Sequence, residues 1–447
     1  MTNFTVENQA VLSAKAVTHR YSEPGWMGLV FCGLLTVNVI VATSASYHHP
    51  ALMYDEIFHL QDIKHFARLG WSQEAFLERL GYAGSLGYFI PAMIYRHVPS
   101  LEAMRCYSLI TMCLGLLTTA YLGRSWTGSW LPGMALVCFP HVTMCLTGFM
   151  TEGPALLLIS LGLVLIERGF RAGKTTSWIW SSLGGIFIAL AILHRQIWVL
   201  VPGGLLAVAL ISRWRSNLSP LQRPCFLSSI VAAVGVIVFT ASAGGGFIGG
   251  GGQTISDRNL MVGNWLSSFL AFLPWYGAGI WWLVHENENK YRIHRPLLCL
   301  SLLVSGGLVL AVVFSDSPES WLGHGPINRI MQTLNIGWAR PWYLLFFSTL
   351  GLYLLAAMSC QFLKNPTPSF SDAFRLGCLG SMVFVVTGAL FPTTFYERYM
   401  FTPLFCVLIT LDGSHFRLGP WLLQITALFL FQLGVNYSNG LYTWILH

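Results

Sequence analysis

The sequence predicts an all-α, polytopic integral membrane protein of about 11–13 transmembrane helices, with interfacial helices in its first outer loop. Three observations predict it. The chain of 447 residues is 54% hydrophobic and only 10% charged, where a soluble domain carries about 25% charged residues. Its mean hydropathy is +0.60, so it cannot cover itself with polar surface and its solvent must be lipid. Apolar runs of about 20 residues, the length that crosses a bilayer, recur from end to end. Finally, the basic residues gather in short loops between those runs, as the positive-inside rule expects.

Taken in order, the first 24 residues are polar, lack the apolar region of a cleavable signal peptide, and read as a cytoplasmic tail. Residues 25–447 read as a single transmembrane domain. Its apolar windows fall at about 25–46, 104–122, 128–146, 151–167, 176–193, 197–212, 225–246, 265–284, 296–315, 341–362, 376–394, 400–413 and 419–436. The stretch 81–95 is apolar but short and broken by Gly84, Gly87 and Pro91, so it reads as re-entrant or interfacial. The run Gly244–Gly252 reads as a helix break where the chain leaves the membrane. The 17 Trp and 16 Tyr residues suit aromatic belts at the two interfaces.

With the N-terminus inside, 15 of the 25 basic residues lie on the inner side and 11 of the 18 acids on the outer side. The net charge of +7 is therefore a topology signal and argues for no nucleic-acid partner. Chemistry on the non-cytoplasmic face is the economical inference. Two outer loops, about 47–103 and 315–340, are long and too aromatic to be disordered. The ten cysteines fall in apolar runs without C-x-x-C spacing, so buried free thiols are expected and no metal site.

The candidate chemistry begins at Asp55 and Glu56, adjacent acids just beyond the first span and the candidate catalytic residues. The segment from Asp55 to Gly70 reads as an interfacial helix with Leu60, Ile63 and Phe66 on its apolar side, and Asp55, His59 and Asp62 sharing another face. In a first turn the helix dipole favours an ionised Asp55, as a general base requires. The plainer reading makes Asp55 a helix cap and Glu56 its solvated neighbour.

Glu152 stands at the outer start of an apolar span, where a carboxylate is costly. It is a candidate second acid or sugar ligand, against a reading in which Thr151 caps the helix. His194, Arg195 and Gln196 interrupt two apolar runs, and arginine suits bidentate recognition of phosphate. Glu397 and Arg398 precede a late span; one reading has the two charges neutralise each other, the other sets Arg398 at the level of Arg195, where two cations would match a diphosphate or phosphodiester. Arg329 and Arg340, with His324 and Asn328, are further candidates for phosphate contact or interfacial snorkelling.

The string Asp55-Glu56-Ile57-Phe58-His59 and the His194-Arg195-Gln196 loop resemble the GT-C superfamily of polyprenyl-phosphate-sugar-dependent glycosyltransferases. Within it, they are most similar to the dolichyl-phosphate-glucose α-1,2-glucosyltransferase family. That family follows its acidic motif with a Thr-rich, Pro-Pro-Gly segment, where this chain has Gly81-Tyr82-Ala83-Gly84-Ser85-Leu86-Gly87-Tyr88. The resemblance implies a GT-C arrangement of 11 to 13 spans and inverting transfer from a polyprenyl- or dolichyl-phosphate sugar to a glycan or lipid-linked oligosaccharide acceptor. It implies no nucleotide and no obligatory metal. It implies Asp55 as base and Arg195 with Arg398 against the departing phosphate. The location would be the endoplasmic reticulum membrane in a eukaryote, where Asn436-Tyr437-Ser438 would be an outer-side sequon, or the inner membrane in a bacterium. A multi-pass transporter or flippase is the competing class. It would be expected to show repeats and broken helices at the membrane midplane.

Overall fold

The computed structural model describes residues 25–48, 56–77, 86–139, 141–214, 219–242, 262–276, 295–315, 331–332, 334–364, 369–387, 400–410 and a few positions between 426 and 433. Among these residues every regular element is helical. In chain order they are α1 (Trp26–His48), α2 (Glu56–Leu69), α3 (Gln73–Leu77), α4 (Leu86–His97), α5 (Leu101–Thr127), α6 (Leu131–Val137), α7 (Val142–Thr147) and α8 (Glu152–Arg171). There follow α9 (Lys174–His194), α10 (Leu200–Ile211), α11 (Ser219–Ser242), α12 (Val262–Tyr276), α13 (Arg295–Ser315), α14 (Arg340–Lys364), α15 (Phe370–Thr387) and α16 (Phe401–Leu408). Seven helices among the described residues are long and apolar enough to cross a membrane: α1, α5, α8, α9, α11, α13 and α14. The protein is an all-α, multi-pass membrane protein.

Local chemistry accounts for the helix ends. The 27-residue α5 starts where the Ser100 side chain accepts the Ala103 N–H and stops where Gly128 turns left-handed at φ 75°. At about 1.5 Å per residue it spans roughly 40 Å. The lipid-facing sides are apolar: Leu29, Ile237, Leu303 and Phe314 are all highly exposed, a pattern that only a hydrocarbon solvent tolerates at this density.

The window 128–146, expected as one span, is instead two short helices, α6 and α7, separated at Cys138–His141. The sequence has a proline between them, Pro140, a residue without the N–H that a helix ladder needs. A helix break frees backbone carbonyls to accept from other donors. Gln432, almost 300 residues later, donates its amide to Val137 O at 3.2 Å and Phe139 O at 3.1 Å. Nearby, Thr143 donates to the buried Asn38 Oδ1 at 2.7 Å and ties α7 to α1. The window 197–212 likewise becomes a 3-10 turn, Gln196–Val199, followed by the 12-residue α10. Of the expected free thiols, Cys138, Cys145, Cys225, Cys378 and Cys406 are buried, whereas Cys32, Cys106 and Cys299 are exposed. An apolar window has a lipid face as well as an inner one. The Gly244–Gly252 run and the Asn436 sequon lie outside the described residues.

The first long loop is ordered by aromatic packing. Phe66 and Phe76 meet edge-on at 5.2 Å, and Trp71 packs at 4.9 Å on Phe239 near the end of α11. The helix α2 ends at Gly70, whose φ of +67° suits a residue with no side chain. Arg96 of α4 donates to the Ala67 carbonyl at 2.6 Å and holds the two helices together. The 12-residue α4, with Pro91 inside it, is too short to span, as the sequence indicates.

Within the bundle, α9 packs against both α8 and α11, and α5 packs along α8. The helices α5 and α8 approach closely at Gly153, where a Cβ would lie 3.0 Å from the Ser108 carbonyl oxygen and the Met112 nitrogen. Gly153→Val is therefore expected to push the two helices apart at a cost of about 1–3 kcal/mol, the usual range for overpacking. Thermal unfolding of the purified variant checks this.

Candidate active site at one end of the bundle

Five elements converge at the end of the bundle where α5 and α8 begin and α9 finishes. The first is α2, which enters with Glu56 in its first turn, fully buried. Arg105, one turn into α5, grips it with a two-pronged pair. Its Nε donates to Oε1 at 2.9 Å and its Nη2 to Oε2 at 2.7 Å. The Phe149 N–H donates to the same Oε1 at 2.6 Å. Each of these is a charge-assisted bond, stronger than a neutral one. Glu56 therefore serves as a fastener for the segment before α8.

Ser108 completes the fastening. Its hydroxyl accepts the Met150 N–H at 3.2 Å and lies 3.1 Å from the carbonyls of Cys145 and Met150. With residues 149 and 150 held, the chain turns into α8 and presents Glu152 in its first turn. Glu152 forms an ion pair with Arg195, the residue that ends α9. Both are largely buried. His194, immediately before Arg195, is completely buried. Among the described residues, neither of its ring nitrogens has a hydrogen-bond partner.

The remaining candidates divide. The His59 ring sits 3.1 Å from the Tyr88 hydroxyl through Nδ1 and edge-on to Phe149, so it braces α2 against α4 and the pinned segment. Asp62 and His59 are buried on α2, while Ile57 and Phe58 are exposed. The inner face of α2 thus mixes Glu56, His59 and Asp62 with Ile63 and Phe66, and its outer face mixes Ile57 and Phe58 with Gln61 and Lys64. Gln196 is half-buried at the start of the 3-10 turn. Arg340 is buried at the start of α14, which packs chiefly on α12 and α13. Asp55, Arg329, Glu397 and Arg398 lie outside the described residues.

Arg105, Ser108 and Tyr88 were not among the candidates drawn from the sequence. Arg105 carried a usable signal, because an arginine one turn into a membrane-length apolar helix needs a partner. Its partner, 49 positions earlier, left no periodic trace. No three His, Cys, Asp or Glu side chains among the described residues converge as a metal site would require. The opposite end of α5 and α8 carries a separate network, in which Glu167 accepts from both Ser125 and Arg171.

No family model matches the chain, and no curated protein matches it. Among solved structures it is similar to ArnT from Cupriavidus metallidurans bound to undecaprenyl phosphate, at 16% identity and a TM-score of 0.40, over 86% of this chain and 77% of that one. The apo form of the same protein gives 15% identity and a TM-score of 0.39, over 86% and 76%. The likeness is weak, and the site rests on its own geometry.

Proposed function

We propose that the chain is an inverting glycosyltransferase that moves a sugar from a polyprenyl- or dolichyl-phosphate donor to a hydroxyl of a lipid-linked glycan on the non-cytoplasmic face. Two buried ion pairs at one end of an apolar bundle, Glu56–Arg105 and Glu152–Arg195, carry the reading. Each buried charge costs several kcal/mol of desolvation. A chain with so few charges spends them where function requires.

Asp55, next to the anchored Glu56 in the chain, is the general base. It takes the proton of the acceptor hydroxyl, whose oxygen attacks the anomeric carbon from the face opposite the phosphate. The bond to the phosphate oxygen breaks, and polyprenyl phosphate leaves with that electron pair. Arg398 stabilises the developing charge on the phosphate, with Arg329 and Arg340 as further contacts. A GT-C arrangement of the helices and glucose as the first donor sugar to try follow from the sequence motifs.

A panel of polyprenyl-phosphate sugars, offered to the purified protein with lipid-linked glycan acceptors, tests the proposal. Transfer from at least one lipid-phosphate donor, and none from nucleotide sugars, is the expected result. Turnover of nucleotide sugars alone would overturn it.

A further inference from the structure

Thr151 stands where a helix-capping side chain is expected, one residue before α8. It does not cap. Its backbone is already helical at φ −84° and ψ −6°, and its side chain makes no capping bond. Thr151 is 1% exposed, and its buried hydroxyl has no hydrogen-bond partner among the described residues. His194 shows the same condition at the end of α9, with two unpartnered ring nitrogens at 0% exposure.

These two residues are neighbours in space. A Cβ on Gly87 would lie 3.1 Å from the Thr151 Cγ2 and 3.2 Å from the His194 carbonyl oxygen, so the start of α4 covers both. Each directly precedes one member of the Glu152–Arg195 pair. An unsatisfied buried polar group is costly, and folded proteins rarely keep one without a use for it. Three such atoms, on residues adjacent in the chain to the two members of one ion pair, point to a polar ligand.

The charge balance selects its class. Glu152 and Arg195 neutralise each other, so this pair by itself brings no surplus positive charge for a phosphate. A neutral imidazole offers one donor and one acceptor, and a threonine hydroxyl offers both. That set matches uncharged hydroxyls, which also donate and accept. We propose that Thr151, His194 and the Glu152–Arg195 pair form the pocket that holds the hydroxyls of the transferred sugar. This assignment rests on the glycosyltransferase reading and moves Arg195 from the phosphate, where the sequence motif suggests it, to the sugar.

The test compares two ligands on full-length protein in nanodiscs: bare polyprenyl phosphate, and the polyprenyl-phosphate hexose that supports turnover in the donor panel. Thr151→Val removes the hydroxyl with little change of shape. It is expected to weaken binding of the hexose-bearing lipid about tenfold while leaving the bare lipid within about twofold, as loss of one buried hydrogen bond implies. Thr151→Ser should restore binding, and His194→Leu should reproduce the selective loss. Equal weakening for both lipids would mark a phosphate site and overturn the assignment, as would unchanged binding of both. If the wild-type protein binds and turns over no lipid-phosphate sugar, the glycosyltransferase reading itself falls, and this one with it.

Discussion

Arg105→Met is expected to destabilise the protein by about 3–5 kcal/mol, the usual cost of leaving one partner of a buried ion pair uncompensated. Glu56 is 0% exposed and its carboxylate is held from three directions, two of them by Arg105. Removing the guanidinium leaves a carboxylate in an apolar surround with only the Phe149 N–H of those three bonds. The segment that ends at Glu152 would lose its anchor, so activity should fall with stability. The double variant Glu56→Leu with Arg105→Met removes the charge as well as its partner, and it should recover a large part of the loss. Denaturation of the wild type and the two variants in one detergent checks the order. A single variant as stable as the wild type would show that the pair fastens nothing.

The larger effect on chemistry belongs to Asp55. Asp55→Asn keeps the size of the side chain and removes its ability to accept a proton. A positioned general base contributes about 10²–10⁴-fold to rate. The variant should therefore lose transfer by at least about 100-fold, mainly in kcat, with donor binding and unfolding temperature close to wild type. Because Glu56 is committed to Arg105 and the Phe149 N–H, it is not expected to substitute as base. Near-wild-type kcat in Asp55→Asn would remove Asp55 from the chemistry.

Much of the fold was legible because lipid imposes a simple rule on sequence. The helices α1, α5, α8, α9, α13 and α14 follow from apolar length alone, within a few residues of their expected limits. The broken pair α6 and α7 was not legible. Its apolar content matches a span, and the partner that tolerates the break, Gln432, comes from the far end of the chain. The two faces of α2 were only half legible. Ile63 and Phe66 are buried as expected, yet so are Glu56, His59 and Asp62. Helical period shows which residues share a face but not which face meets lipid.

At the site, Glu152 and Arg195 were visible as charges at costly depth, and they pair with each other. The Glu56–Arg105 fastening was invisible, because the sequence carries no record of which distant residue answers a buried carboxylate. Thr151 was visible only as a helix cap. The structure gives it a helical backbone with no capping bond, and the expectation built on residue preference fails there.

The most direct test of the account measures polyprenyl phosphate released per sugar transferred, in proteoliposomes holding the donor, acceptor and either the wild-type protein or Asp55→Asn. One polyprenyl phosphate is expected for each sugar moved by the wild type, and at least about 100-fold less of both in the variant. Intact donor crossing the bilayer without phosphate release, at equal rates in the two proteins, would contradict it.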